Sequence, residues 1–544
     1  MRELELFKVA SFFIIIFLLI STCSSIFFIQ IARTVSKIIL VPDDYLTIQA
    51  AIEAAEPSSV IYVKAGVYSE HVIINKPLWL IGEDLNRTII DGQQFGATLT
   101  IKINNVLMKN FTITGGGVIG GLLGQGIGVA LYNAANCTII NNRIIGNRMG
   151  IYLHSSSNIV ISNNDIMNNR EGIYLYNSLY NSIIRNNIVA NKYFAIHLFS
   201  SNNTQIIENN MINNSLSIYL YASSCNNTII KNNITRSGDM IISTSSNNNI
   251  SKNIFVCNGL YVLSSYKNII KDNTVNNKPL VYFEENSEHV IKEAGQVILI
   301  NCKNITMENL ELSNVGIGIE LWQTNNTIIT RSKLMNNQIG IYLYASLYNN
   351  ISDNDIVHNV LGLRFISSAY NNILRNNIIS NGYGAILEFS AYNNISRNKI
   401  MLSTNYGLFF IKSLNNLIYN NEFIDNAEQV LSYESINIWD SGYPSGGNYW
   451  SNYIGMDSHS GIKQNEVGSD GISDTQYFLD NDNIDRYPRM EKPKNITINM
   501  KTLTTIRLTN YHSELTITLG LILFIFIIYL KMESEKKKQL CPLL

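Results

Sequence analysis

Three scarcities narrow what this chain can be. With 8 Pro in 544 residues, it suits a structure in which nearly every strand lies between two others, because proline cannot donate a ladder hydrogen bond. Its 6 Cys show no C-x-x-C spacing typical of zinc or redox motifs, so we expect Cys137, Cys225, Cys257 and Cys302 to be buried free thiols. The repeats carry no basic block and the formal net charge is −1, which argues against a nucleic-acid partner.

What the chain has in abundance is a repeat of about 22 residues, a length typical of solenoid proteins. Its central phrase is Gly-Ile-Tyr-Leu followed by a Ser/Asn turn, as in Gly150–Asn158, Gly172–Asn181 and Gly340–Asn350. The apolar residues alternate with period two, which is the period of a strand rather than a helix. We therefore predict an all-β fold, a single-stranded parallel β-helix with about thirteen turns over residues 136–437 and a few less regular turns before them.

Two columns of asparagine set the predicted register. Like residues of stacked turns lie about 4.8 Å apart, so amide side chains can hydrogen-bond along a column. The first column follows the Gly-Ile-Tyr-Leu strand: Asn136, Asn158, Asn181, Asn203, Asn227, Asn249, Asn268, Asn304, Asn326, Asn350, Asn372, Asn394, Asn416 and Asn437. The second column precedes an apolar residue: Asn142, Asn164, Asn186, Asn209, Asn232, Asn354, Asn376, Asn398 and Asn421.

Both ends of the chain are apolar. Ala10–Ala32 is an uninterrupted run that predicts a signal peptide or an uncleaved anchor. Leu515–Leu530 is long enough to span a membrane with help from its flanks, and the lysine-rich Lys531–Lys538 follows it. By the positive-inside rule the C-terminal tail is cytoplasmic and the solenoid lies outside the cell. A buried core helix near the C-terminus is the alternative.

These features divide the chain into predicted segments. A short amphipathic helix at Thr47–Ala55 belongs to an N-terminal β-α-β cap, which covers the open edge of the first turn. The segments are an N-terminal signal or anchor (1–36), the cap and first strands (37–95), the first half of the β-helix (96–277), an irregular insertion (278–304), the second half (305–437), a C-terminal cap (438–495), a linker (496–512), a transmembrane helix (513–531) and a basic cytoplasmic tail (532–544).

The chain resembles the NosD-type β-helix family, within the carbohydrate-binding and sugar-hydrolase repeat group. Its opening, 41–92, has the TIQxAIxxA and IxVxxGxYxE pattern of many right-handed β-helix proteins. The stretch Lys278–Asn314 resembles an insertion of that family, as does Gly446–Asp457 with its continuation to Asp485–Met490. The resemblance implies a right-handed β-helix, but the group contains both enzymes and binding proteins.

Outward-facing residues of the Gly-Ile-Tyr-Leu strands are rich in aromatics and form two columns. Such a strip fits an extended glycan, whose sugars stack on aromatic rings, although tyrosine also favours strands and stabilises its neighbours. Both interpretations stay open. The predicted ligand-binding residues are Tyr152, His154, Tyr174, Tyr176, His197, Phe199, Tyr219, Tyr221, Glu320, Trp322, Tyr342, Tyr344 and Arg364.

A polysaccharide hydrolase, lyase or epimerase is the alternative function. Glycoside hydrolysis needs two carboxylates within about 5–9.5 Å. Glu320 and Glu388 share a face but lie three turns apart, which is too far. Asp353 and Asp355 flank Asn354 at a suitable separation, yet nothing in the sequence marks a cleft around them.

Metal binding is the remaining question. The resemblance implies copper binding. His154 and His197 lie in different columns, however, so we favour a protein that binds no copper. Asp470 and Asp474, in the C-terminal cap, predict a degraded calcium loop or a solvated acidic turn. Asn-x-Ser/Thr sequons, Asn86 among them, predict some glycosylation. The overall prediction is a membrane-anchored extracellular protein that binds a glycan or another cell-envelope component without catalysis.

Overall fold

The computed structural model describes residues 37–117 and 126–491, which form a parallel β-solenoid of about 18 turns. Each turn contributes up to three short strands, and each strand pairs in parallel with its equivalent in the next turn. Strands of one position therefore stack into a flat sheet, and the three sheets enclose the core. This confirms the predicted parallel solenoid. We number the three faces in the order in which the chain meets them within a turn.

The first half of the solenoid has long, regular stacks. Face 1 is an 11-stranded sheet. Its strands are Ile38–Val41, Val60–Val63, Trp79–Gly82, Leu107–Lys109, Thr138–Ile140, Val160–Ser162, Ser182–Ile184, Gln205–Ile207, Thr228–Ile230, Asn249–Ser251 and Ile269–Lys271. Face 2 comprises Gly66–Tyr68, Thr88–Asp91, Thr112–Thr114, Arg143–Ile145, Asp165–Met167, Asn187–Val189, Asn210–Ile212, Asn233–Thr235, Ile254–Val256 and Thr274–Val275. Face 3 is a 9-stranded sheet: Val72–Ile74, Leu99–Ile101, Ile127–Tyr132, Met149–His154, Glu171–Tyr176, Phe194–Phe199, Leu216–Tyr221, Met240–Ser243 and Leu260–Leu263.

The second half repeats the arrangement. Its face 1 comprises Val290–Ile291, Thr306–Glu308, Ile328–Thr330, Asn350–Ser352, Asn372–Leu374, Asn394–Ser396 and Leu417–Tyr419. Face 2 comprises Glu311–Ser313, Lys333–Met335, Asp355–Val357, Asn377–Ile379, Lys399–Met401, Glu422–Ile424 and Tyr449–Trp450. Face 3 comprises Lys278–Glu284, Gln296–Ile300, Ile317–Trp322, Ile339–Tyr344, Leu361–Ile366, Tyr383–Glu388, Tyr406–Ile411 and Glu428–Tyr433.

Strand alternation places the apolar residues as predicted. In Met149–His154 the side chains of Ile151 and Leu153 are fully buried, whereas Tyr152 and His154 are half-buried on the outside. The same pattern recurs in the equivalent strands of the next three turns. Because successive turns stack apolar side chains on one another, the core is a continuous column rich in Ile and Leu.

Asparagine ladders run inside the solenoid, and one of the two predicted columns is a true ladder. In the second predicted column, Asn164 donates from its backbone N–H and its amide to Oδ1 of Asn186 at 3.0 Å, and Asn186 does the same to Asn209. The buried amides thus satisfy the backbone groups of the tight corners.

The first predicted column is wrong as a single column, because it mixes three neighbouring register positions. Asn136, Asn158 and Asn203 lie at a corner with left-handed backbone, near φ 55°. Asn181 lies one position later, in a buried ladder that donates and accepts between turns. Asn249 already lies within a face 1 strand. Since asparagine serves all three positions, the sequence pattern alone did not separate them.

The two halves meet at a reversal of chain direction, and this is the least regular feature of the fold. Thr274–Val275 pairs in antiparallel fashion with Lys278–Glu284, which then pairs in parallel with Gln296–Ile300. The segment 278–304, predicted to be irregular, therefore supplies the first strands of a second solenoid. Face 2 of the first half continues directly into face 3 of the second half.

Because of this reversal, the first strands of the second half serve two cores. Val297 and Leu299 point into the core of the second half, whereas Ile298 and Ile300 pack against the core of the first half. The next strand alternates in the same way, with Trp322 on the first-half side. The outer side of face 3 in the second half thus closes the end of the first solenoid.

Two further segments flank the turns. The predicted helix at Thr47–Ala55 is present as Ile48–Ala54, with the hydroxyl of Thr47 accepting from the backbone N–H of Ala50 at 3.2 Å. At the other end, Trp450 stacks on Phe423, and short hairpins follow: His459–Ser460 with Glu466–Val467, and Tyr477–Phe478 with Ile484–Asp485.

The membrane predictions concern residues outside the described part of the chain. The N-terminal signal or anchor (1–36), the linker (496–512), the transmembrane helix (513–531) and the basic tail (532–544) all lie there, and so do Cys23 and Cys541. Over 37–117 and 126–491, no helix has the length and apolar character needed to cross a bilayer. Over the same residues, the four cysteines are free thiols. Cys137 and Cys302 are buried as predicted, but Cys225 is half-buried and Cys257 is exposed, so the prediction of burial is wrong for these two.

Candidate functional site

The outer side of face 3 in the first half carries the densest group of surface aromatics, and we call it the aromatic face. Five successive strands place rings there, mostly because every second residue of a strand points outward. All of these side chains are half-buried. The aromatic face consists of Tyr132, Tyr152, His154, Tyr174, Tyr176, Phe194, His197, Phe199, Tyr219 and Tyr221.

The rings of the aromatic face stack on one another along the solenoid axis. One column, which we call the inner column, contains Tyr152, Tyr174, His197 and Tyr219. In it, Tyr174 and His197 have ring centroids 4.5 Å apart at an interplanar angle of 12°, and His197 and Tyr219 are 5.2 Å apart at 21°. The second column, which we call the outer column, contains Tyr132, His154, Tyr176, Phe199 and Tyr221. In it, the ring centroids of His154, Tyr176 and Phe199 are 5.2 Å apart from one turn to the next. Stacked rings cover each other's faces, so the surface presents ring edges and phenol hydroxyls to a ligand.

Burial changes the chemistry of these phenols. It raises the pKa of Tyr152 to about 12, and it also raises the pKa of Tyr174 and Tyr219. The phenols therefore remain neutral at any physiological pH. They act as hydrogen-bond donors and acceptors, and the Tyr152 hydroxyl already bonds to Nδ1 of His154 at 3.1 Å.

An ionisable pair lies within the aromatic face. His197 is enclosed by Tyr174, Tyr219 and Phe194, whose ring centroid is 4.7 Å away. Its Nδ1 lies 3.9 Å from Oε2 of Glu171. Among the described residues, neither ring nitrogen of His197 has a hydrogen-bond partner, and Oε2 of Glu171 has none either. The pair adds a polar centre to a surface that is otherwise aromatic.

Three predicted ligand-binding residues are not on the surface, and the prediction is wrong for them. Glu320 is fully buried, Tyr342 is 3% exposed and Trp322 is 5% exposed. They do point away from the core of the second half, as strand alternation requires, but the end of the first half covers them. The indole N–H of Trp322 donates to the Tyr266 hydroxyl at 3.3 Å.

Side chains of the second half also replace the missing next strand of the first. The backbone N–H of Leu260 donates to Oε1 of Gln296 at 2.9 Å, and Nε2 of Gln296 donates back to the Leu260 carbonyl at 2.7 Å. The N–H of Val262 donates to Oε2 of Glu320 at 3.4 Å. The open edge of Leu260–Leu263 is thereby satisfied, and Glu320 has a structural role there.

Tyr344 and Arg364 lie at the border of this junction. Tyr344 is half-buried and stacks on Trp322 with ring centroids 3.9 Å apart. The Arg364 guanidinium bonds to Glu388 at 2.9 Å and lies over the ring of Tyr342 at 5.9 Å. These two residues do not continue the aromatic face, since the buried junction separates them from it.

The carboxylates considered for catalysis have other partners. Asp353 forms a bidentate ion pair with Arg375 at 2.7 and 2.8 Å, and the guanidinium hydrogen bond lowers the pKa of Asp353. Asp355 accepts from the amide of Asn377 at 2.7 Å. Both side chains therefore serve contacts between neighbouring turns.

The acidic residues of the C-terminal segment are held by the loop itself. Asp474 accepts from Nδ1 of His459 at 2.9 Å, and this contact lowers the pKa of Asp474. Asp470 accepts from Gln464 at 3.1 Å and from the N–H of Ile472 at 3.0 Å. Within the described residues, no three His, Cys, Asp or Glu side chains gather as a metal site. Calcium binding by Asp470 and Asp474 stays a prediction.

Three members of the site escaped the sequence reasoning. Tyr132 is in register with His154 and Tyr176, so extending the outer column by one turn would have found it. Phe194 and Glu171 lie at the start of their strands, before the Gly-Ile-Tyr-Leu phrase on which the columns were based. Two consecutive buried residues follow each of them, so the alternation is broken there and the sequence pattern does not predict their outward orientation.

Comparison with known proteins gives a family. A family model described as "Periplasmic copper-binding protein (NosD)" matches residues 121–223 and 276–455, more than half of the chain. No curated protein sequence matches.

Among solved structures, pectin methylesterase PemA from Erwinia chrysanthemi is 14% identical over 38% of this chain and 80% of its own, with a TM-score of 0.29. The A-module of mannuronan C-5 epimerase AlgE6 from Azotobacter vinelandii is 13% identical over 72% and 92%, with a TM-score of 0.26. The catalytic domain of a GH87 alpha-1,3-glucanase is 14% identical over 76% and 69%, with a TM-score of 0.35. Likeness at this level concerns the fold alone.

Proposed function

This chain belongs to the NosD family, and from the geometry of its surface we propose that it binds an extended glycan along the aromatic face without converting it. The observation that carries the proposal is the array of half-buried rings repeated in successive turns of face 3. A polymer lying along the axis would meet ring edges at every turn, about 4.8 Å apart, and phenol hydroxyls in the turns on either side of Phe194–Phe199. Phenol hydroxyls and ring edges suit sugar hydroxyls and C–H groups.

The family description names copper, but the described residues do not fit a copper site. Copper sites in proteins gather His, Met or Cys ligands within bonding reach. His154 and His197 lie two turns apart in different columns. His154 bonds to Tyr152, and the nearest ionisable partner of His197 is Glu171. The two histidines are better explained as members of the ring stacks.

We further propose that the solenoid lies outside the cell on a membrane anchor and that its glycan belongs to the cell envelope. The support is the sequence of the apolar runs Ala10–Ala32 and Leu515–Leu530, with lysines after the second. Fractionation of cells expressing the full chain, followed by protease treatment of intact cells, would test both points. Recovery of the chain in the soluble fraction, or protection of the solenoid from protease, would contradict the proposal.

The binding proposal is tested with the full-length chain on a panel of immobilised polysaccharides. Joint replacement Tyr176→Ala and Tyr221→Ala removes two rings of the outer column and should lower retention at least tenfold. The matched control is Tyr180→Ala, since Tyr180 is exposed but lies at a corner outside the aromatic face. Equal retention of the wild type and the double variant would contradict the proposal, as would failure of the wild type to bind any polysaccharide.

A further inference from the structure

A second set of tyrosines lies at a corner of the second half, far more exposed than the aromatic face. Tyr348, Tyr370 and Tyr392 occupy the same position in three successive turns and are 57%, 45% and 52% exposed. Their ring centroids are 5.2 Å apart in both steps, at interplanar angles of 13° and 5°. We call this group the tyrosine ridge. No prediction from the sequence included it.

The backbone at this corner favours a different residue. The three tyrosines have φ of 58°, 57° and 56°, in the left-handed region. The turns on either side place Asn326 and Asn415 at the same position, with φ of 53° and 57°. Asparagine adopts this conformation far more readily than a bulky aromatic residue does. Left-handed backbone recurs at corners throughout the solenoid, so what sets the tyrosine ridge apart is that three stacked turns place an aromatic residue there.

Burial does not compensate for the strain of an aromatic residue in this backbone conformation. Each tyrosine leaves about half of its surface in solvent, so the gain from removing apolar area from water is small. Mutual stacking compensates for part of the free energy lost to backbone strain. Asparagine in the same place would carry less strain to compensate. The three tyrosines are therefore poorly explained by the stability of the solenoid.

The segments that form the tyrosine ridge are uncharged, and charged residues begin directly after them, at Asp353, Arg375 and Arg397. Asp353 and Arg375 form an ion pair with each other. The three segments that contain it, 345–352, 367–374 and 389–396, have no Asp, Glu, Lys, Arg or His. Two residues after each tyrosine comes an asparagine on face 1: Asn350, Asn372 and Asn394. The amide oxygens of Asn350 and Asn394 are buried without a hydrogen-bond partner among the described residues, and that of Asn372 accepts from the Asn394 amide at 3.4 Å. The groups that every turn offers to a ligand are therefore the phenols, in a row parallel to the solenoid axis.

We propose that the tyrosine ridge is a second binding surface, and that it takes a neutral, extended polysaccharide. The repeat of one contact set per turn matches a polymer that runs along the axis rather than a compact ligand. Uncharged phenols suit neutral hydroxyl-rich chains, and no cationic side chain lies within the three segments to pair with an anionic polymer. The site is separate from the aromatic face, which lies on the first half.

The test replaces each ridge tyrosine with the residue that neighbouring turns use. The full-length triple variant Tyr348→Asn, Tyr370→Asn and Tyr392→Asn should keep or raise the melting temperature, because asparagine relieves the strained backbone. Its affinity for soluble β-glucan, mannan or xylan, measured by affinity electrophoresis, should fall at least tenfold. The matched control is Tyr180→Asn, which changes an exposed tyrosine at the equivalent corner of the first half, with φ of 57° and no stacked partner among the described residues. That control should bind as the wild type does.

Several results would overturn the proposal. One is a triple variant that melts earlier and binds as before, which would make the tyrosine ridge a structural stack. Another is a wild type that binds alginate or pectate in preference to neutral polymers. A third is a wild-type dimer that the triple variant converts to a monomer, which would assign the ridge to contact between copies.

The same panel separates this proposal from the aromatic-face proposal. Loss of binding only in the Tyr176→Ala, Tyr221→Ala variant overturns the tyrosine ridge as a binding surface. Loss only in the triple variant supports the tyrosine ridge and contradicts binding at the aromatic face.

Discussion

The two halves of the solenoid carry similar residues at the outer positions of face 3, yet those residues meet different surroundings. In the first half Tyr174 and Tyr219 are half-buried on the surface. In the second half the equivalent Tyr342, with Trp322 beside it, is almost fully buried under the end of the first half. Alternation along a strand thus decides which side chains leave their own core, but it does not decide what covers them outside.

The largest expected difference between the halves is the cost of deleting one tyrosine ring. Tyr342→Ala empties a closed site and should lower the free energy of unfolding by about 3–5 kcal/mol, as for buried aromatic residues in general. Tyr174→Ala removes a ring that already contacts solvent and should cost about 1 kcal/mol. Urea denaturation of both variants checks this. Equal costs would mean that the junction does not bury the second-half residues.

The interior ladders should behave alike in both halves. Asn186→Ala leaves the backbone N–H of Asn164 without its partner, and Asn376→Ala does the same to Asn354. Each change should cost about 1–3 kcal/mol, the penalty for a buried unsatisfied group. Agreement of the two costs to within about 0.5 kcal/mol would locate the difference between the halves on the outside alone. A clearly larger cost in one half would contradict that.

A smaller effect concerns the pH dependence of the junction. Burial raises the pKa of Glu320 well above its usual range, and Glu320 has one long hydrogen bond, from Val262. A carboxyl whose pKa is higher in the folded than in the unfolded state makes its full contribution to stability at a pH below the unfolded pKa, about 4.3. That stability is lost as the pH rises through the folded pKa.

Glu320→Gln keeps the hydrogen-bond acceptor and removes the ionisation. The wild type should therefore lose at least about 1 kcal/mol more stability than this variant between pH 4 and pH 8. Chemical denaturation at both pH values measures the difference. Parallel pH profiles of wild type and variant would contradict the assignment of an unpaired buried carboxyl. Glu308→Gln is a control, because Glu308 is paired with Lys292 and Arg331 on the surface.

The solenoid, its period and its interior could be predicted because each turn repeats the same local rule. Ile151, Leu153 and their equivalents alternate with polar or aromatic residues, and stacking makes that rule cumulative. The second asparagine column was also predictable, since Asn164 and Asn186 keep a constant distance from the following strand.

The junction could not be predicted, because it depends on one reversal of direction near Asn276 and Asn277, where both residues take left-handed backbone. Nothing in the local pattern of Glu320 or Trp322 differs from that of a surface residue. The tyrosine ridge escaped notice for another reason. Tyr348 lies at a corner position that the strand columns do not include, although the recurring Tyr-Asn-Asn triplet was visible in the sequence.

The central claim is that the outer aromatics of the first half face solvent and a glycan, while their second-half equivalents are sealed. Hydroxyl-radical footprinting of the full chain, read by peptide mass spectrometry with and without a bound polysaccharide, tests it directly. Tyr176 and Tyr221 should be oxidised in the free protein and protected at least severalfold by the glycan, and Trp322 and Tyr342 should stay unmodified in both states. Oxidation of Trp322 in the folded protein, or unchanged oxidation of Tyr176 and Tyr221 under bound glycan, would contradict the account.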